Sequence, residues 1–199
     1  AIERKRETVE AIRDAIGYDI DLAFDIHWDY SMDSAKRLCR KLEPYDLMWL
    51  EDPVPPENME AQREVTRVSR VPIATGENRF RVHEFKELLY DFGVDIVTPD
   101  PTTCGGLAES RAIANRAEEN YIVFSPHNVC GPIGTMACVH LGASVPNFDV
   151  LEYHARDVEW WGDLHDGEEP LIRDGYIEVP ETPGLGIGLD EAVAREHLH

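Results

Sequence analysis

Asp25 in AFDIH, Glu51 in MWLED and Glu77 in IATGE recur at a constant interval, each later acid 26 residues after the one before. Each lies in or at the end of a short apolar run and is followed by a stretch that reads as loop and then helix. A strand, its loop, a helix and the return loop take roughly 25–30 residues. Acids one such unit apart therefore stand at the same end of neighbouring parallel strands. Three hard oxygen ligands converging there form a Mg²⁺ site, because carboxylates suit Mg²⁺ and leave positions open for water or substrate. A substrate carboxylate is the simplest further ligand. A metal held on it stabilises the enediolate formed when the α-proton leaves.

The series continues with Asp100 in VTPDP, His127 in FSPHN and Glu152 in DVLEYH, at steps of 23, 27 and 25 residues. Any one of these taken alone reads as a solvated loop residue. Six at successive strand ends read as one site, since barrel active sites are assembled from the C-terminal ends of several strands. Asp100 and His127 fall on adjacent strand ends. A carboxylate beside an imidazole fixes its tautomer and raises its basicity, so His127 is the candidate general base. His27 lies two residues after Asp25, and along a strand i and i+2 face one side. It is the candidate acid for a leaving group. Glu152 is a candidate hydrogen-bond donor to an enediolate if burial keeps it protonated. Asn78, Arg79, Asn128 and Trp28 flank these positions and are candidate substrate contacts. The other histidines, His83, His140, His154, His165, His197 and His199, hold no place in the series and read as structural or surface residues.

The elements that position these residues alternate. Helices are expected at residues 1–16, 34–42, 58–69, 82–90, 107–120 and 133–144, and a short one after Asp190. Strands are expected at 20–27, 45–53, 71–78, 94–100, 121–128 and 148–154. Strict alternation implies parallel strands in an α/β fold. A barrel is preferred to an open sheet, because only in a barrel do all six strand ends face one mouth. A complete barrel has about eight strands in about 250 residues, so the six strands here make it incomplete. The chain also opens inside a helix, and the expectation is that earlier strands precede it.

Composition narrows the partners. Among 199 residues, 19 are Lys or Arg and 39 are Asp or Glu, for a formal charge of −20. That charge excludes nucleic-acid binding through a basic patch. No apolar run approaches the ~20 residues that span a membrane. Cys39, Cys104, Cys130 and Cys138 form no CxxC pair and read as reduced thiols, consistent with a cytoplasmic protein.

DIH, WLEDP, ATGEN, TPDPTTCGGLAE and SPHN, in this order and at these spacings, resemble the enolase superfamily, mandelate racemase subgroup. Within it they are similar to acid-sugar dehydratases of the gluconate, galactonate and xylonate type. The resemblance implies a TIM-like (β/α)₇β barrel with an N-terminal α+β capping domain. Here residues 1–199 form the C-terminal barrel domain in part, and the cap and first strands are absent. It also implies Mg²⁺ on Asp25, Glu51 and Glu77, a Asp100–His127 dyad that removes the C2 proton, and His27 as the acid that assists loss of the C3 hydroxyl. Glu152 matches a position such enzymes use. The substrate is then a small sugar acid, the product a 2-keto-3-deoxy acid, and the full-length protein a homo-oligomer. A racemase, epimerase or cycloisomerase of the same superfamily is the alternative, and a non-catalytic barrel fragment is another.

Lysine is confined to Lys5, Lys36, Lys41 and Lys86. An acidic, lysine-poor chain suits a halophilic source, where salt screens self-repulsion. Dialysis from molar salt into low salt is therefore expected to reduce the far-ultraviolet circular dichroism sharply. An unchanged spectrum would remove the halophilic reading.

Overall fold

The computed structural model describes residues 1–154, 158–167 and 171–198. Helix α1 spans Ile2–Ile16 and stops at Gly17, whose φ of 73° is open to glycine and whose N–H reaches the Arg13 carbonyl. Strand β1 is Ala23–Asp25, α2 is Met32–Leu42, β2 is Trp49–Glu51 and α3 is Met59–Val68. Strand β3 is Ile73–Thr75, followed by the two short helices α4 (Arg81–Glu84) and α5 (Lys86–Tyr90). Then come β4 (Ile96–Val97), α6 (Leu107–Glu119), β5 (Val123–Phe124), α7 (Pro132–Ala143) and α8 (Glu191–Glu196). Polar side chains start three helices. Ser31 accepts the Ser34 N–H, Asn58 the Ala61 N–H, and Asp190 those of Ala192 and Val193.

The five strands pair in sequence order and all in parallel, the curved-sheet arrangement of a partial TIM-like barrel. The paired strands are much shorter than the apolar runs that contain them. Each run pairs over two or three residues and then turns away into its loop. The sixth expected strand, 148–154, contributes one parallel bridge, Phe124 to Phe148, in place of a ladder. The expected helix at 82–90 is broken into α4 and α5 at Phe85.

Register decides which side chains share a face. Asp25 pairs with Glu51, Glu51 with Ala74, and Ile96 with both Ala74 and Val123. One row thus carries Asp25, Glu51, Ala74, Ile96 and Val123. Trp49, two residues before Glu51, shares its face and packs with Ala74 and Ile96 in an inner cluster. Leu50 and Ile73 form the other face and are packed under α1–α3, while Val97 and Phe124 pack under α4–α7. Both faces are apolar, as parallel strands require.

The equal spacing of the acids does not translate into equal height. Asp25 and Glu51 are side by side, but Glu77 stands three residues beyond Ala74, the partner of Glu51. That offset is the stagger of a closing barrel. It is accommodated at Gly76, where φ is 156° and a Cβ would stand 2.9 Å from the Thr98 carbonyl carbon and 3.0 Å from its nitrogen. Only glycine lets β3 run this close to β4 just before Glu77. Gly76→Ala is expected to push these strand ends apart and lower unfolding free energy by about 1–3 kcal/mol, read by denaturant titration. An unchanged midpoint would show that the backbone here can yield.

Candidate active site

The six titratable residues of the series gather at the C-terminal ends of the strands. The Asp100–His127 pair is formed: Nδ1 of His127 lies 2.9 Å from Oδ2 of Asp100. The other oxygen of Asp100 accepts the Thr102 hydroxyl at 2.6 Å and the Thr102 N–H at 2.7 Å. Burial alone would raise the Asp100 carboxyl. The bonds from His127 and Thr102 outweigh it and hold the group below its ordinary range.

His127 has a second acid on its far nitrogen. Nε2 is 2.9 Å from Oε2 of Glu77 and 3.9 Å from Oε2 of Glu152. Burial opposes the imidazolium, but Asp100 and Glu77 prevail and push its pKa up to about 11. An acid–imidazole–acid bridge therefore joins the ends of β3, β4 and β5.

Asp25 and Glu51 form the opposite wall. Glu51 is pushed up to about 7, first by burial and then by the charges of Asp25, Glu152 and Glu77, despite a 2.9 Å bond from Trp49 Nε1. Asp25 is raised by burial and by Glu77, and a bond from the His27 N–H at 2.9 Å only partly offsets this. Asp52, next to Glu51, is 1 % exposed and is pushed up to about 8 by burial, although its Oδ1 accepts the Thr75 hydroxyl at 2.5 Å. Asp25, Glu51, Asp52, Glu77 and Glu152 thus load one region with negative charge. Their oxygens are the donor set that a hard divalent cation prefers, and a cation would relieve their repulsion. As the side chains stand, no three described His, Cys, Asp or Glu residues are drawn into a coordination group. The contact with His127 engages the Glu77 carboxylate.

His27 reaches its position by a route other than strand alternation. It lies past the end of β1 with φ 55°, and Trp28 follows with φ 60°. The i, i+2 rule therefore does not place it. What places it is a tight turn closed by its own N–H on Asp25 Oδ1. Its ring lies against Trp28, centroids 4.0 Å apart. Trp28 Nε1 is buried with no hydrogen-bond partner among the described residues.

The flanking residues divide. Asn78 stays with the site, its amide 3.5 Å from Glu77 Oε1. Arg79 is turned elsewhere: its guanidinium bonds the Pro56 carbonyl at 2.9 Å and Met59 Sδ at 2.7 Å, pinning the loop between β2 and α3. Asn128 is 1 % exposed and has its amide committed to Thr135 and to the Glu152 carbonyl, so it is not open to substrate. Both were expected as substrate contacts; here both side chains bond to other protein groups, and neither is distinguishable in sequence from a solvent-facing loop residue. The Glu152 side chain is 42 % exposed, so burial does not single it out as a proton donor. Thr102 was missed; a threonine two residues after Asp100 is the spacing of a side-chain turn. Trp161 holds no place in the series, yet its Nε1–H donates to the Cys130 carbonyl at 3.3 Å. Of the remaining histidines, His140 bonds the Leu185 carbonyl, His197 stacks on Trp160, and His199 lies outside the described residues.

The four cysteines are free thiols, and no helix of the described residues is long and apolar enough to cross a membrane.

Comparison with known proteins agrees with this geometry. A D-xylonate dehydratase of Haloferax volcanii is 47% identical over 197 residues, covering 99% of this chain and 48% of that protein. A D-galactonate dehydratase of Ralstonia nicotianae is 33% identical over 201 residues, 98% of this chain and 53% of that protein. A solved mandelate racemase/muconate lactonizing enzyme-like protein from Rubrobacter xylanophilus superposes with a TM-score of 0.96 at 47% identity, over all of this chain and 50% of that one. The chain spans about half the length of the relatives it matches. The model of the family described as enolase C-terminal domain-like matches residues 1–193, and the chain belongs to that family.

Proposed function

We propose that residues 1–199 form the catalytic barrel domain of a sugar-acid dehydratase that acts on an aldonic acid such as xylonate, galactonate or gluconate. The observation that carries this reading is the imidazole of His127, with its Nδ1 on Asp100 and its Nε2 turned toward the carboxylate cleft. The names of the two dehydratase relatives point to the same substrate class.

In this reading Asp25, Glu51 and Glu77 would hold Mg²⁺. When bound, the cation supplies positive charge for a substrate carboxylate and for the enediolate derived from it. Asp100 keeps the His127 Nδ1–H in place and directs Nε2 at the substrate. Nε2 takes the C2 proton, and the C2–H electron pair moves into the enediolate. That pair then forms the C2–C3 double bond as the C3–O bond breaks, and His27 gives the departing hydroxide its proton. The enol left behind tautomerises to the 2-keto-3-deoxy acid. Asn78 and Trp28 line the approach, and Glu152 lies 3.9 Å from Nε2, near the developing charge.

A general base needs a neutral imidazole. The high pKa of His127 comes from Asp100 and Glu77 together. With Glu77 held on a cation, Asp100 alone would orient the ring and Nε2 would be free to accept the proton.

Incubation of the full-length protein with Mg²⁺ and a set of five- and six-carbon aldonic acids is expected to release a 2-keto-3-deoxy acid from at least one. No keto acid from any of them would refute the reading. The two histidines should then separate. His127→Asn is expected to lower both solvent exchange at C2 and dehydration by about 10²–10⁴-fold. His27→Asn is expected to retain exchange and lose dehydration, followed by deuterium incorporation in NMR. Dehydration that survives in the His27 variant would take the acid role from that residue.

A further inference from the structure

Asn128 follows the imidazole of the dyad in sequence, and its contacts run to Glu152, the last acid of the series, and to Thr135. Its main-chain N–H donates to Glu152 Oε2 at 2.9 Å, and its Nδ2 donates to the Glu152 carbonyl at 2.9 Å. The same amide is paired with Thr135 near the start of α7: Nδ2 donates to Oγ1 at 3.1 Å, and that hydroxyl donates to Oδ1 at 3.3 Å. Asn128 and Thr135 are each 1 % exposed. Both N–H groups of the amide are therefore used within the protein.

Glu152 needs such a hold. Among the described residues, the run that carries it joins the sheet by the Phe124–Phe148 bridge, four residues upstream, and its side chain is 42 % exposed. Both hydrogen bonds that Glu152 makes among the described residues come from Asn128. These bonds hold Oε2 3.9 Å from His127 Nε2. Asn128 is anchored beside His127: the two are consecutive, and Thr135 of α7 bonds the buried amide.

We propose that Asn128 is the positioning residue that fixes the Glu152 carboxylate against the reactive nitrogen of His127, and that Thr135 holds the Asn128 amide in the orientation this requires. The role rests on the dehydratase reading for its chemistry, since Glu152 then lies where enediolate charge develops. Misplacement of a reacting group by about 1 Å costs about a hundredfold in rate.

The test is a double-mutant cycle on the full-length protein with Mg²⁺ and whichever aldonic acid the wild type converts. Asn128→Ala is expected to lower kcat about a hundredfold with KM little changed. In a Glu152→Gln background the same change should lower kcat by no more than about twofold, because the group it positions is already disabled. Thr135→Val should lower kcat about tenfold, one hydrogen bond's worth of hold, and Thr135→Ser should restore it. Equal losses in both backgrounds would mean that Asn128 acts only on folding, and would overturn the proposal. If the wild type converts no aldonic acid, the dehydratase reading fails, and the positioning is read instead from the imidazole NMR signals of His127. Asn128→Ala and Thr135→Val should then move those signals in the direction that Glu152→Gln moves them. Unmoved signals in variants whose unfolding transitions remain cooperative would overturn it.

Discussion

Like charge held at close range is the constraint around which this molecule is organised. Parallel pairing brings Asp25 level with Glu51, and the stagger of the sheet brings Glu77 and Glu152 to the same cleft. Carboxylates this close cannot all stay ionised without compensation. Part of it is internal: the His127 imidazole is bridged between Glu77 and Asp100. Glu51 is pushed up to about 7 by burial and by the neighbouring acids. A divalent cation bound there would relieve the same repulsion.

That repulsion falls on the scaffold, and it explains where the scaffold is tight. The strands pair over only two or three residues. Two apolar clusters clamp the outer face of the sheet, and a third fills the inner face below the acids. Gly76 allows the backbones of β3 and β4 to touch at the residue before Glu77. Asp52 bonds Thr75 and so ties the end of β2 to the end of β3 beside two of the acids. Such ties resist the repulsion that would otherwise spread the strand ends.

The polar residues beside the catalytic candidates serve the same end. Arg79 pins the preceding loop, Thr102 holds the far oxygen of Asp100, and Asn128 grips Glu152. Each is adjacent or nearly adjacent in sequence to a member of the site, and each works one layer behind it. Precise placement of a few reacting groups depends on neighbours whose own rotamers are locked by hydrogen bonds.

The sequence alone determined the alternation of strands and helices, the parallel sheet, the identity of the acids and the partnership of Asp100 with His127. These follow from chain periodicity: one strand-and-helix unit has a nearly fixed length, so residues one unit apart meet at one end of the sheet. The 27-residue step from Asp100 to His127 equals the step between β4 and β5 partners, such as Ile96 and Val123, which is why that pair bonds directly. Tertiary structure decided the rest. The 26-residue step from Glu51 to Glu77 hides an offset of three residues, because the loop length and the sheet stagger both enter it. His27 is aimed by a left-handed turn that alternation along a strand does not describe. Whether Arg79 or Asn128 points into the cleft depends on which partner competes for its side chain, and those partners lie 20 or more residues away or on another element, where no local pattern in the chain records them.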